Sequence, residues 1–229
     1  MKTAKRILSY FSRAEKILWV SSAALIIILF ALFDRVNYLT LFASLTGVTS
    51  IIFSAKGNPI GQFLMIIFSL IYGYISFSFS YYGEMITYLG MTMPMAVFAL
   101  VSWLRHPYKG KKSEVEVSRL GTKEIIFMLF LSVAVTAVFY FVLKYFGTAN
   151  IIPSTLSVTT SFIAVYLTFR RSPYFSAAYA ANDIVLIILW VLASMTSSRY
   201  ISVTVCFAAF LINDIYGFIS WKRMEKRQR

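Results

Sequence analysis

The chain has 229 residues, of which 59% are hydrophobic and 14% charged, with a mean hydropathy of +0.74. The surface of a soluble domain needs more charge than this, so the composition excludes a soluble globular protein and indicates an integral membrane protein. The single cysteine, Cys206, and the single histidine, His106, exclude a disulfide framework within the chain and a metal centre built from several such ligands. We therefore expect neither a metal ion nor a cofactor.

Eight segments are long and apolar enough to cross a bilayer, which takes about 20 residues of helix. Gly, Pro and Asn residues mark the breaks between these segments. We therefore predict an all-α integral membrane protein with eight transmembrane helices and little mass outside the bilayer. In chain order the predicted spans are residues 17–33, 38–55, 59–80, 84–104, 124–146, 150–170, 174–196 and 199–221.

The basic residues are distributed unevenly between the two sides of this arrangement. If the N-terminus is cytoplasmic, all of the 22 Lys and Arg residues except Arg35, Lys144 and Arg199 lie on the cytoplasmic side. This asymmetry follows the positive-inside rule and predicts that both termini are cytoplasmic. The net charge of +13 is then explained by topology, and we expect no binding of nucleic acid.

Two parts of the sequence suggest an internal repeat. The ends of the fourth and eighth spans, FALVSWLR at 98–105 and YGFISWKR at 216–223, share Ser, Trp and Arg at a spacing of 118 residues. The loops that end at Pro59 and Pro173 correspond at a spacing of 114. The offset corresponds to four spans, an even number, so the two units enter the membrane in the same direction and the repeat is parallel. Parallel repeats are an architecture of transporters whose substrate site lies near the membrane midplane. The alternative is that Trp followed by a basic residue is simply common at cytoplasmic helix ends.

Polar side chains occur at membrane depth in the third and seventh spans. An ionisable group near the bilayer centre costs about 2.5 to 3.5 kcal/mol, so it normally faces a cavity or a partner. Helical spacing places these groups on shared faces, which predicts a pocket that binds the hydroxyl and amide groups of a small polar ring compound. The alternative is hydrogen bonding between helices. The candidate substrate-binding residues are Asn182, Asp183, Tyr179, Trp190, Gln62, Tyr72 and Ser69.

The eighth span carries a second polar pair, Asn213 and Asp214, in an apolar run. Its counterpart in the first unit of the repeat is the apolar pair at 95–96. We therefore interpret Asn213 and Asp214 as a gate or a cross-link between helices instead of the primary ligand site. Pro94 lies within the fourth span, where it removes a backbone hydrogen bond and predicts either a hinge or a static bend.

Three stretches, at residues 81–110, 180–194 and 210–228, resemble the PnuC-type nicotinamide riboside transporter family. They include YYGEMITYLGMTMPMAVFALVSWLR, AANDIVLIILWVLAS and FLINDIYGFISWKRMEKRQ, and the similarity extends from about residue 38 onward. The resemblance implies a SWEET-like parallel repeat of two three-helix bundles joined by a linker helix, assembled as a homotrimer. It places the first bundle at 38–104, the loop and linker helix at 105–149, and the second bundle with a cytoplasmic tail at 150–229. Residues 1–37 are then a tail and an additional N-terminal helix.

The resemblance also implies a function. Members mediate facilitated uptake of nicotinamide riboside, an NAD precursor, across the bacterial cell membrane, and a cytoplasmic kinase then traps the product. Their substrate-lining motif places a Trp about four residues before an Asn or Asp. Here Asn182 and Asp183 match its polar end, whereas Phe175 and Tyr179 precede them in place of Trp.

That departure leaves open a related cargo, such as a deoxynucleoside, thiamine or riboflavin. Asp183 also leaves open a proton-coupled symporter. A membrane-embedded enzyme is not expected, because the chain offers no cluster of nucleophile, base and metal ligands. A structural membrane subunit is the remaining alternative, and it predicts that Asn182 and Asp183 serve stability alone.

Overall fold

The computed structural model describes residues 10–33, 35–78, 82–148, 150–195 and 201–229. Within these ranges, eight helical segments are long and apolar enough to cross a membrane, which confirms the eight predicted spans. The predicted ends at residues 80 and 196, the predicted start at 199, and Arg199 lie outside the described residues.

The spans are built from nine α-helices and one π-helical segment within the described ranges. The fourth span consists of α4, the π-helical segment Tyr88–Thr92, and α5. The helices are α1 (Arg13–Phe33), α2 (Tyr38–Ala55), α3 (Ile60–Ser78), α4 (Tyr82–Thr87), α5 (Met93–Arg105), α6 (Thr122–Tyr145), α7 (Ile151–Phe169), α8 (Phe175–Ser194) and α9 (Ile201–Gln228).

The structure corrects two details of the sequence prediction. The loop at 105–123 contains an antiparallel hairpin of β1 (Pro107–Tyr108) and β2 (Lys111–Val115), closed by Lys109 and Gly110 with positive φ angles. Helix α9 continues to Gln228, so most of the predicted C-terminal tail is helical. The residues after 221 are charged, which hides the helix from a search for apolar segments, but Lys, Arg, Met, Glu and Gln all favour helix.

Six helices form a closed ring. Around the ring, α2 contacts α3, α3 contacts α5, α5 contacts α7, α7 contacts α8, α8 contacts α9, and α9 returns to α2. Helix α6 lies outside the ring against α7, and α1 lies outside it against α2 and α9. This arrangement agrees with two groups of three spans, one formed by α2 to α5 and the other by α7 to α9. The exact domain boundaries stay a prediction.

The same turn is built twice at the predicted spacing of 114 residues. Gly57 and Arg171 both adopt the left-handed conformation, with φ angles of 67° and 56°. In the first turn Asn58 N donates to Phe53 O at 3.1 Å, and in the second Ser172 N donates to Leu167 O at 2.9 Å. Matching backbone geometry at matching positions supports the repeat on grounds other than the shared Trp and Arg.

The two groups of helices, which we call the halves of the ring, meet at two junctions, α5 with α7 and α9 with α2. A tryptophan lies at each junction. Trp103 Nε1 on α5 donates to Thr168 O on α7 at 2.9 Å, and Trp221 Nε1 on α9 donates to Ser54 O on α2 at 2.8 Å. Both rings are fully buried, and their centroids are 5.4 Å apart. We call these two residues the tryptophan clamp. Each half therefore binds the first helix of the other half in the same way.

The segment after β2 covers the same end of the ring. Val115 N donates to Gly57 O at 2.9 Å and Ser118 N donates to Arg171 O at 3.0 Å, so residues 115–118 cap both left-handed turns. Gln228, at the end of α9, accepts from Val117 N at 2.7 Å and donates to Val115 O at 3.1 Å. We call this side of the molecule, with the two turns, the hairpin and residues 222–229, the hairpin end.

Helix α1 is attached to the ring by polar contacts. Ser12 and Glu15 form a capping box, in which each backbone N–H donates to the other side chain, at 2.7 and 3.2 Å. Glu15 also forms a 3.1 Å salt bridge with Lys56. Deeper in the span, Asn213 Nδ2 donates to Ser22 Oγ at 2.8 Å. Asn213 therefore joins α9 to α1. Its role as a gate or a cross-link stays a prediction.

Candidate functional site

An internal cavity of about 50 Å³ lies at the centre of the ring, between α2, α3, the π-helical segment, α7, α8 and α9. This volume holds only a few water molecules, whereas ligand pockets normally measure several hundred Å³. Aromatic and polar side chains face it together. Its aromatic residues are Phe68, Tyr88, Phe175, Tyr179, Phe207 and Phe210, and its polar residues are Ser54, Gln62, Thr92, Ser161, Asn182, Asp183 and Asp214.

The amide of Asn182 is fixed by two hydroxyl groups from α7. Thr160 Oγ1 lies 2.8 Å and Ser161 Oγ lies 3.0 Å from Asn182 Oδ1, and both hydroxyls donate to it. Asn182 is buried and lines the cavity. Because its oxygen is already held by the protein, its amide N–H groups are the part suited to binding a ligand oxygen.

Asp183 and Asp214 meet across the boundary between α8 and α9. Both side chains are buried, and their carboxyl groups lie within hydrogen-bonding range of each other. A hydrogen bond between two carboxyl groups requires a proton on one of them, because an ionised carboxylate only accepts. The two residues lie on different spans and were predicted to have different roles, but the structure places both at the cavity.

Gln62 enters the cavity from the opposite half. It lies near the start of α3, is buried, and donates from Nε2 to Ser54 Oγ at 3.2 Å. The ring of Phe210 approaches the same region because Gly47 has no side chain. A Cβ atom at Gly47 would lie 2.7 Å from Cζ of Phe210, so any larger residue there would displace an aromatic wall.

Tyr179 and Phe175 stand where the resemblance leads one to expect a tryptophan. Phe175 lies edge-on to Tyr179, with ring centroids 6.2 Å apart, and also edge-on to Trp221 at 4.8 Å. Phe175 therefore connects the cavity wall to the tryptophan clamp. Both residues line the cavity and offer faces on which a planar ring can stack.

The other predicted residues lie away from this cavity. Tyr72 packs on Phe68 and Tyr88 and lines a separate apolar cavity beside α1. Trp190 shares a face with Asp183 but lies two turns further along α8, near Glu84. Ser69 is fully buried but is not part of the cavity wall, and Asn213 binds α1 instead.

Pro94 is the second residue of α5, which begins at Met93 directly after the π-helical segment. The missing N–H of proline and a π-type turn both interrupt regular α-helical hydrogen bonding at this point of the span, and the choice between a hinge and a static bend stays a prediction. The effect of this interruption is to turn Tyr88 and Thr92, two residues that sequence reasoning missed, into the cavity. The pairing of Thr160 and Ser161 with Asn182 was also missed, although the run TTS at 159–161 in an apolar span is a visible signal.

A ring of membrane-spanning helices in two similar halves, with a polar and aromatic cavity at its centre, is the architecture of a small-molecule transporter. The comparisons with known proteins agree. Residues 37–223 match the family model described as "Nicotinamide mononucleotide transporter", and the chain belongs to this family. The family is the PnuC-type one that the sequence resembles, and it consists of transporters, not enzymes.

Similar curated proteins include two named nicotinamide riboside transporter PnuC. The one from Neisseria mucosa is 26% identical over 199 residues, covering 85% of this chain and 76% of the relative. The one from Haemophilus influenzae is 21% identical over 192 residues, covering 83% and 82%. The crystal structure of the vitamin B3 transporter PnuC is 24% identical, covers 96% of this chain and 94% of that one, and superposes with a TM-score of 0.83. The PnuC-like fold is thereby confirmed.

Proposed function

We propose that the protein mediates facilitated uptake of nicotinamide riboside across a bacterial cell membrane. Family membership and the names of both curated relatives support this substrate. The observation that carries the proposal is the central cavity, where Asn182, Asp183 and Gln62 converge from both halves of the ring. Their amide and carboxyl groups suit the ribose hydroxyls and carboxamide, and the aromatic walls suit a pyridine ring.

The hairpin end is the cytoplasmic end in this proposal. The positive-inside rule supports it, since the hairpin, both turns and the end of α9 are rich in Lys and Arg. Both termini are then cytoplasmic. A cytoplasmic kinase traps the imported nucleoside by phosphorylation, and the protein assembles as a homotrimer within the lipid bilayer.

Transport proceeds by rocking of one half of the ring against the other around the cavity. The present arrangement is closed at the hairpin end, because the tryptophan clamp and residues 115–118 hold both junctions. The cavity is also too small for a nucleoside, so loading requires the halves to separate. Opening toward the cytoplasm requires both indole hydrogen bonds of the clamp to break.

A related cargo is the second candidate. The presence of Phe175 and Tyr179 in place of Trp favours a ring of different size, as in a deoxynucleoside, thiamine or riboflavin. The buried Asp183 and Asp214 carboxyl groups keep proton-coupled symport as the alternative to facilitation.

Counterflow in liposomes tests these proposals together. Purified protein is reconstituted with unlabelled nicotinamide riboside inside, and uptake of labelled substrate is followed with and without a proton gradient. We expect exchange that does not depend on the gradient. Absence of exchange would refute the substrate, and uptake driven by the gradient would refute facilitation. The same assay with thiamine, riboflavin and a deoxynucleoside ranks the cargoes, and protein-free liposomes provide the background.

The orientation has its own test. With Cys206 replaced by Ala, a single cysteine is introduced at the exposed Lys111 of the hairpin or, as the matched control, at the exposed Lys144 near the opposite end. A membrane-impermeant maleimide added to intact cells should label Lys144→Cys and not Lys111→Cys. The reverse pattern would place the hairpin end outside the cell.

A further inference from the structure

The buried Asp183 and Asp214 pair has no basic partner in the surrounding protein. Both side chains are 4% exposed, and their carboxyl groups lie within hydrogen-bonding range of each other. Burial and mutual repulsion oppose ionisation of either carboxyl group where water is scarce. A carboxylate therefore forms at this site when a cation enters beside it, and the displaced proton leaves to solvent.

Among the described residues, no side chain supplies that cation. The ionisable groups that face the pair are Tyr88 from the π-helical segment, Tyr179 from α8 and Cys206 from α9, and none of these side chains can become positive. The salt bridges formed by the described residues involve neither aspartate. In addition, no donor group in the described part of the chain reaches Asp183 Oδ2.

The cavity around the pair is suited to a flat cation. Tyr88, Tyr179, Phe207 and Phe210 line the same space, and the faces of aromatic rings attract cations. A buried charge without a partner is unfavourable, so a cationic ligand that supplies the missing partner gains affinity that a neutral ligand of the same shape does not. Both features favour a ring that itself bears the positive charge.

We propose that the Asp183 and Asp214 pair is the countercharge for a permanently cationic heteroaromatic ring, so that the cavity selects cationic nucleosides over neutral ones of the same shape. This inference rests on the proposed function, since it concerns the ligand of the same cavity. The pyridinium ring of nicotinamide riboside is such a cation. Asp214 is then a residue that determines specificity, in addition to any part it has in gating.

The test compares two ligands that differ in charge and match in shape. Benzamide riboside has a neutral phenyl ring where nicotinamide riboside has a pyridinium ring. Competition with labelled nicotinamide riboside in the counterflow assay gives the ratio of the two affinities. We expect the wild-type protein to prefer the cation by about tenfold or more, because only the cation gains the attraction of a carboxylate in a poorly hydrated site. The same ratio is then measured for Asp183→Asn, Asp214→Asn and the double variant.

The single variants separate charge from structure. Each keeps one carboxylate beside an amide of the same shape, so each should keep the preference, whereas the neutral double variant should lose it and bind both ligands within about twofold. Equal binding of the two ligands by the wild type, or an unchanged preference in the double variant, would overturn the proposal. If the double variant does not fold, Asp183→Ser with Asp214→Asn is the second neutral variant.

The proposed function and this inference fail in different ways. If the wild type does not exchange nicotinamide riboside, the proposed substrate is wrong. The charge preference is then read from thermal stabilisation by thiamine, which is cationic, against riboflavin, which is neutral. Stabilisation by riboflavin alone would overturn the charge preference, and stabilisation by thiamine alone would support it with a different cargo.

Discussion

Replacement of Trp221 by Phe should open the hairpin end more often. The substitution removes the indole donor that binds Ser54 O at 2.8 Å, and it shortens a fully buried ring that packs on Trp103. Ser54 O still accepts from Gly57 N at 2.9 Å, so the carbonyl is not left without a donor. The loss is therefore about 1 kcal/mol for the hydrogen bond and up to about 1 kcal/mol for the ring contact.

A loss of about 1 to 2 kcal/mol from the closed state raises the population that is open at the hairpin end about five- to thirty-fold. The assay uses Val165→Cys as a reporter in the cavity wall, in a protein whose native Cys206 is replaced by Ala. A membrane-impermeant maleimide is added from the side that the hairpin end faces. The rate of labelling reports how often the cavity is open to that side.

Two further variants make the experiment decisive. Trp103→Phe removes the equivalent bond at the other junction and should raise the labelling rate by a similar factor. Trp19→Phe is the matched control, because Trp19 Nε1 donates to Thr49 Oγ1 at 3.0 Å between α1 and α2 and spans neither junction. If Trp221→Phe and Trp103→Phe label no faster than Trp19→Phe, the tryptophan clamp does not hold the hairpin end closed.

Three further predictions concern single positions. Asn182→Ala should weaken nicotinamide riboside binding about tenfold in counterflow, because Asn182 lines the cavity and a ligand hydrogen bond to its amide is worth about 1.5 kcal/mol. Binding unchanged within twofold would remove Asn182 from the site. Asn213→Ala should lower thermal stability by about 1 to 3 kcal/mol, since Ser22 loses its partner, while uptake per folded protein stays constant; a selective loss of uptake would contradict the cross-link. Gly47→Ala should cost about 1 to 3 kcal/mol in thermal unfolding, because its Cβ would lie 2.7 Å from Phe210. Gly90→Ala, whose Cβ would meet only Ile86 at 3.8 Å, should not lower the melting temperature, and equal melting temperatures of the two variants would contradict the packing.

Most of the fold was predictable because the backbone N–H and C=O groups of each span must form hydrogen bonds within the span in lipid, which requires a helix. The length of each apolar segment is then sufficient to locate a span. The repeat was predictable from Trp103 and Trp221. The hydrogen bond that each of these tryptophans donates to the other half was not predictable, since it depends on how two distant helices meet. The hairpin at 107–115 and the helical end of α9 were missed because both are charged and are stabilised by each other, through contacts such as Gln228 with Val115 and Val117.

Part of the candidate site was predictable from the spacing of polar residues along the helices. Asn182, Asp183, Tyr179 and Gln62 lie at the cavity, and helical spacing was sufficient to find them. Spacing gives the face of a helix but not the depth at which that face meets a cavity, which explains why Trp190 lies elsewhere. The approach of Asp214 to Asp183 depends on the packing of α9 against α8, and no local pattern in either segment reports it.

Helix α9 is held at its C-terminal end, so a tilt of the helix moves its other residues in proportion to their distance from that end. It is 28 residues long, or about 42 Å, and its far end is held by the segment at 115–118 through Gln228. Asp214 lies 14 residues before this pivot, a distance of about 21 Å along the axis. A tilt of α9 by about 10° would therefore displace Asp214 by about 4 Å relative to α8, with little displacement at the pivot. A small rotation about the C-terminal end of α9 thus produces its largest displacement at the depth of the central cavity and beyond it.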